Sequence, residues 1–203
     1  MGRSPRGTWT SKIEVRGETV KRIFGIVLLG ALLFSLPAWA KEPLRIIEGV
    51  VVKVSDGDTI TVDSKGTVVK VRLYGIDAPE TEKVNRKNGL VAKPGQPFGE
   101  AASRALENKV SGRPVRLEVM DIDKYRRLVS FLWVGERNIN QEMVSEGWAW
   151  AYRKYLDRKY ASEYLGAETR ARAAYKGLWR QGSPQPPWEF RKQMKGEGNG
   201  REG

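Results

Sequence analysis

The segment Val71-Arg72-Leu73-Tyr74-Gly75-Ile76-Asp77-Ala78-Pro79-Glu80-Thr81 sets one arginine and two carboxylates within a few residues of one another. A guanidinium offers a planar fork of donors to a phosphate, and carboxylate oxygens are natural ligands of hard metal ions. Held on rigid backbone, the three groups can handle a phosphate and a divalent cation. They would serve equally as a salt bridge at a strand end. What must position them is a strand followed by a turn. Val71 and Leu73 have strand-forming character, and Arg72 alternates to the opposite face. Gly75 permits a bend, while Pro79 ends strand pairing and pushes Ala78 into an extended conformation.

Two more clusters carry charged side chains at turns: Asp56-Gly57-Asp58-Thr59 and Asp123-Lys124-Tyr125-Arg126-Arg127. Either alone reads as an ordinary turn or a solvated hairpin. Their occurrence in this order, on either side of the Arg72–Glu80 segment, is far more specific.

Composition narrows the chemistry. The 203-residue sequence contains neither cysteine nor histidine, which excludes disulfides, Cys/His zinc sites, thiol nucleophiles and a Ser-His-Asp triad. Acid–base work falls to carboxylates, lysines or tyrosines, and a metal must be held by oxygen, which favours Ca2+, Mg2+ or Mn2+. A net charge of +12 points toward polyanionic partners such as nucleic acid or anionic membranes. With 40% hydrophobic residues, one main domain with a core is expected.

At the front, Lys21-Arg22 precede an apolar run from Ile23 to Leu36 and then Pro37-Ala38-Trp39-Ala40. This is the charged flank, apolar core and small-residue cleavage site of a secretory signal, and the run is short for a bilayer span. Cleavage after Ala40 would leave a strongly basic chain beginning at Lys41, without stable membrane association. Failed cleavage would leave an anchored one. Residues Arg16–Val20 are compatible with codons for a ribosome-binding purine run just before a GTG start, so translation is expected to begin at Val20.

Leu44 to Val54, Thr59 to Val62 and Val68 to Tyr74 read as a three-strand meander, with turns at Ser55–Asp58 and Ser64–Gly66. Thr81 to Pro97 reads as a long exposed loop. Phe98–Val110 has helical spacing, Val115–Met120 and Leu128–Val134 read as strands, and Asn138 can cap a helix running to Gly147. Tyr155 to Tyr175 reads as a long amphipathic helix closed by Gly177, and Ser183 onward as a tail with little structure. The expected organisation is a signal over 1–40, a domain over 41–182 and a Pro/Gly-rich basic tail over 183–203. Five strands with a helix between the third and fourth resemble the partly open barrel called the OB-fold, although other small α+β arrangements fit the same elements.

Through Asp-Gly-Asp-Thr, Arg72-x4-Asp77-x-Pro79-Glu80, Asp-Lys-Tyr-x-Arg-Leu ending at Leu128, Gly147-Trp148-Ala149 and Gly177-Leu178-Trp179, the chain resembles the thermonuclease family, also called the staphylococcal or micrococcal nuclease family. The resemblance spans Leu44 to Trp188. It implies an α+β protein with a five-stranded OB-fold barrel and three helices. It also implies Ca2+-dependent hydrolysis of DNA and RNA with little sequence specificity, leaving 3′-phosphates. By position, Asp58, Asp77 and the carbonyl of Ala78 match the metal ligands, Glu80 the general base, and Arg72 and Arg127 the phosphate-binding arginines. Tyr152 and Tyr155 fall where the family has nucleoside-contacting tyrosines. Two departures stand out: Ala78 replaces a Thr of the best-known pattern, and Arg126 stands where Gly often precedes the arginine. The resemblance and the leader together imply a monomer in the periplasm or outside the cell. The alternatives are a catalytically silent OB-fold module binding single-stranded nucleic acid or protein, and a cell-surface attachment module.

Overall fold

The computed structural model describes residues 42–199; the expected signal segment 1–40 and the expected start at Val20 lie outside the described residues. Strands β1 (Arg45–Asp56), β2 (Thr59–Ser64) and β3 (Thr67–Leu73) form the meander. Short strands β4 (Ile76–Asp77), β5 (Lys83–Val84) and β6 (Val91–Lys93) precede helix α1 (Gly99–Val110). Next come β7 (Pro114–Ile122), β8 (Leu128–Val134), β9 (Arg137–Asn138) and helix α2 (Ile139–Ser145). Strand β10 (Trp150–Ala151) and a 3-10 turn at Arg153–Tyr155 lead into α3 (Arg158–Ala173). A second 3-10 turn at Gly177–Arg180 is followed by α4 (Pro187–Asn199).

The order β3-β2-β1-β7-β8 is antiparallel throughout, and β3 then pairs in parallel with β8 through Val71 opposite Leu128 and Leu73 opposite Ser130. That pairing closes a five-stranded, OB-like barrel, so no long edge strand is left between β3 and β8. Alternation fills the inside. Ile60 and Val62 of β2, Val71 and Leu73 of β3, and Val115, Leu117 and Val119 of β7 are all buried. Burying each such side chain is worth about 1.5–3 kcal/mol relative to leaving it exposed. Ala102, Leu106 and Val110, spaced four apart, form the stripe by which α1 joins this core. Buried Asn140 is fully used: its Oδ1 accepts from the Leu132 N–H at 2.9 Å, and its Nδ2 donates to the carbonyls of Tyr74 and Ser130. Asn138 caps α2 as expected, accepting from the Gln141 N–H at 3.1 Å.

Three expectations are corrected. The stretch Thr81–Pro97 is a small hairpin rather than a structureless loop: β5 pairs with β6, and the Gly89 N–H donates to the Asn85 carbonyl. Its valines, Val84 and Val91, are exposed, so it carries no buried-face pattern for sequence reading to detect. The long helix starts at Arg158, because Asp157 caps it through the Lys159 N–H, and Tyr155 stays in the preceding 3-10 turn. Finally, the tail forms a fourth helix in place of the expected three. Pro187 takes the first helical position, where its missing N–H costs nothing, and the Pro186 carbonyl accepts from Glu189 and Phe190.

Candidate active site

Four chain segments meet at one mouth of the barrel. The first is the β1–β2 turn. A Cβ on Gly57 would lie 2.7 Å from the Ala78 Cβ and 2.8 Å from that of Ala102, so only glycine lets this turn settle against both. The turn points Asp58 inward, where it is 2% exposed. Asp58 Oδ1 accepts from Thr59 Oγ1 at 2.9 Å and from Arg72 Nη1 at 2.7 Å, and Oδ2 accepts from the Ala78 N–H at 2.9 Å.

Arg72 arrives on β3 directly opposite Thr59. Its second nitrogen, Nη2, reaches Asp77 Oδ1 at 2.5 Å, so one guanidinium holds two buried carboxylates. Asp77 sits on β4, fixed by pairing with Trp150 of β10, and is fully buried. Ala78, the residue after Asp77, is buried, and its N–H reaches back to Asp58.

Glu80 follows Pro79 and is held through its backbone. Gln96 Oε1 accepts from the Glu80 N–H at 3.1 Å, and the Gln96 N–H donates to the Glu80 carbonyl at 2.8 Å. Behind it, Gly99 is pressed so close that a Cβ would lie 2.1 Å from the Glu80 carbonyl oxygen. The segment that follows the hairpin therefore returns to clamp the Glu80 backbone.

Arg127 comes from the β7–β8 turn. Its N–H donates to Asp123 Oδ1 at 2.9 Å and its Nε to Asp123 Oδ2 at 2.7 Å, which aims the side chain along the cleft. Arg126 carries a φ of 63°, a conformation suited to glycine, so the turn keeps that shape with an arginine in place. A cleft of about 1060 Å3 is lined by Arg72, Glu80, Arg127, Tyr152 and Tyr155, together with Lys83, Lys93, Lys124 and Lys154. Tyr152 and Tyr155 meet edge to face, with centroids 5.0 Å apart. Their segment is pinned by Glu168, whose Oε2 accepts from the Ala151 N–H at 2.6 Å.

The structure thus brings Asp58, Arg72, Asp77 and Glu80 together at the floor and places Arg127, Tyr152 and Tyr155 on the walls. Four residues were missed as site members. Asp56 lines the cleft; burial, and then the charge of Asp58, push its carboxyl up to about 8. Burial also opposes ionisation of Asp58, yet Arg72 and the hydrogen bonds it accepts hold it below its ordinary value. Gln96, Trp188 and Arg191 are the others. Arg191 Nη2 lies 2.7 Å from Asp77 Oδ2, and its Nη1 lies 2.6 Å from Glu80 Oε1 and 3.1 Å from Asp77 Oδ1. Trp188 lies flat on Tyr152, with ring planes 3° apart. The Pro187-Trp188-Glu189 run, with proline at a helix start and an acid in the first turn, was the signal available in the sequence.

Chemically, the floor is a crowd of carboxylate oxygens balanced by guanidinium groups. Among the described residues no three acidic side chains are drawn into a ready ligand shell; these carboxylates are turned onto Arg72 and Arg191 instead. An all-oxygen donor set of this kind suits a hard divalent cation.

Comparison with known proteins bears on the family. The family model described as staphylococcal nuclease homologue matches residues 70–181. An uncharacterized endonuclease of Haemophilus influenzae is 38% identical over 71% of this chain and 73% of its own length. A micrococcal nuclease of Shigella flexneri is 34% identical over 83% of this chain and 91% of its own. A thermonuclease of Staphylococcus hyicus is 34% identical over 64% of this chain and 73% of its own. With a closed barrel, a carboxylate–arginine floor and these matches, the chain belongs to the staphylococcal nuclease family.

Proposed function

We propose that this nuclease is an exported, Ca2+-dependent enzyme that hydrolyses phosphodiester bonds of DNA and RNA with little sequence specificity. The observation that carries the reading is the Arg72 guanidinium bridging Asp58 and Asp77 beside Glu80, at the base of a cleft rimmed by cations. Asp58, Asp77 and the Ala78 carbonyl would hold the ion. When bound, Ca2+ supplies a Lewis acid that offsets charge on the phosphoryl oxygens.

The chain's own groups do the rest. Glu80 accepts the proton of the attacking water, an effect worth about 10²–10⁴-fold in general. The water oxygen bonds to phosphorus, the bond to the 5′ oxygen breaks, and that oxygen takes a proton from solvent, so the products are a 3′-phosphate and a 5′-hydroxyl. Arg72 and Arg127 present guanidinium forks to the phosphoryl oxygens, where negative charge builds. Tyr152 and Tyr155 offer faces on which bases stack without reading sequence.

Export rests on the charged flank, apolar run and Ala38-Trp39-Ala40 site, and places a soluble monomer in the periplasm or outside the cell. Digestion of plasmid DNA and RNA with Ca2+, Mg2+ or chelator, followed by analysis of the product ends, tests the assignment. Cleavage of both polymers with Ca2+, abolished by chelator and leaving 3′-phosphates, is expected. Binding without cleavage under every cation would favour the silent OB-fold module.

A further inference from the structure

The C-terminal segment enters the site by a built route. Gln96 Nε2 donates to the Gln185 carbonyl at 3.1 Å, joining the segment to the residue that clamps Glu80. Trp188 stacks on Tyr152 at 5.1 Å and meets Trp150 edge-on at 6.4 Å. Three residues along α4, on the same helix face, Arg191 lays its guanidinium across both oxygens of Asp77 and one of Glu80. The anchor and the cation belong to one helical turn.

Those oxygens are the ones assigned above to the ion and to the proton of the attacking water, and the inference rests on that assignment. A guanidinium using both Asp77 oxygens occupies lone pairs that a divalent cation needs, and the two positive charges repel. Ion and Arg191 therefore compete for Asp77. Once displaced, Arg191 stays charged and is kept in the cleft by Trp188. Its side chain is 35% exposed, so it has room to turn. The anion available there is the phosphate of a bound strand.

We propose that Arg191 is a third substrate-binding arginine, which stands in for the cation on Asp77 and Glu80 in the metal-free protein and passes to a substrate phosphate when the ion takes those carboxylates. Occupation by Arg191 lowers apparent ion affinity by the fraction of molecules left open, so its removal strengthens ion binding. In the loaded site it adds one phosphate contact, and with it one step in the salt dependence of strand binding.

The test uses the full chain, Arg191→Gln, and Lys192→Gln as a control for net charge, since Lys192 is exposed on the same helix. Calorimetric titration with Ca2+ alone is expected to show binding about tenfold tighter in Arg191→Gln and unchanged in Lys192→Gln. At saturating Ca2+, a nuclease-resistant phosphorothioate oligonucleotide should bind Arg191→Gln more weakly, with the log–log salt slope smaller by about 0.7–1. Unchanged Ca2+ affinity in Arg191→Gln, or an equal shift in Lys192→Gln, overturns the competition. Tighter Ca2+ binding with unaltered oligonucleotide affinity and slope makes Arg191 a plug only, and overturns the substrate-binding role. If Asp77→Asn binds Ca2+ as the wild type does, the metal assignment fails instead, and the two failures are told apart.

Discussion

Gln96 grips Glu80 on both sides of its backbone, accepting from the Glu80 N–H at 3.1 Å and donating its own N–H to the Glu80 carbonyl at 2.8 Å. The side chain of a residue sixteen positions downstream thus sets where the proposed general base stands. Gln96→Ala keeps the backbone half of the grip and removes the side-chain half. A small displacement of a reacting group is costly, so kcat should fall about tenfold while KM stays within about twofold. Steady-state kinetics on a short DNA substrate checks this; a change confined to KM would show that Gln96 acts on substrate binding instead.

Arg126 holds a left-handed backbone with φ 63° in the turn that presents Arg127. That conformation costs a non-glycine residue about 1–2 kcal/mol, offset in part by the greater unfolded-state freedom of glycine. Arg126→Gly should therefore stabilise the protein by about 0.5–1 kcal/mol in urea denaturation. A loss of stability would mean that the Arg126 side chain makes a contribution larger than the strain.

Asp123 accepts from the backbone of Tyr125 and Arg127 and from the Arg127 side chain. Although its slight burial works the other way, these contacts hold its carboxyl below the ordinary 3.8. A carboxyl with a depressed folded-state value adds stability that is complete above the unfolded value and disappears as pH falls through the folded one. Asp123→Asn should be less stable than wild type at pH 7, and the gap should close as pH is lowered below about 3.8. A gap that persists at low pH would assign the effect to the turn's shape rather than to charge.

Strand binding should weaken steeply with salt. Arg72, Arg127, Lys83, Lys93, Lys124 and Lys154 all line the cleft, and each phosphate they neutralise releases counterions. Two or more such contacts give a log–log slope of about −1.4 or steeper for a nuclease-resistant single strand. A flat plot would point to apolar recognition.

The barrel and its floor could be read from the sequence because their signals are local. Ile60, Val62, Val71 and Leu73 alternate as buried-face residues should, and Asp58, Arg72, Asp77 and Glu80 sit in short runs at strand ends. Arg191 could not be read in the same way. Its partners Asp77 and Glu80 lie 114 and 111 positions away, and proline and glycine around it imitate a tail. Gln96 was hidden for a related reason: its hairpin buries the two ends, Thr81 and Gln96, and exposes the middle, so no periodicity marks it. Tyr155 precedes the helix that its spacing suggests it should join, because Asp157 caps α3 two residues later.

In the proposed reaction Glu80 takes the proton of the attacking water while Arg72 and the carboxylates position the phosphate and its ion. The most direct measurement is the single-turnover rate of DNA cleavage at saturating Ca2+ for wild type, Glu80→Gln and Arg72→Lys, with circular dichroism to confirm the fold. The expected result is a rate about 10²–10⁴-fold lower for Glu80→Gln, with strand affinity retained. Arg72→Lys should also lose most of its rate, because an ammonium cannot reproduce the guanidinium bridge between Asp58 and Asp77. Near wild-type rates in both variants would contradict these roles for Glu80 and Arg72.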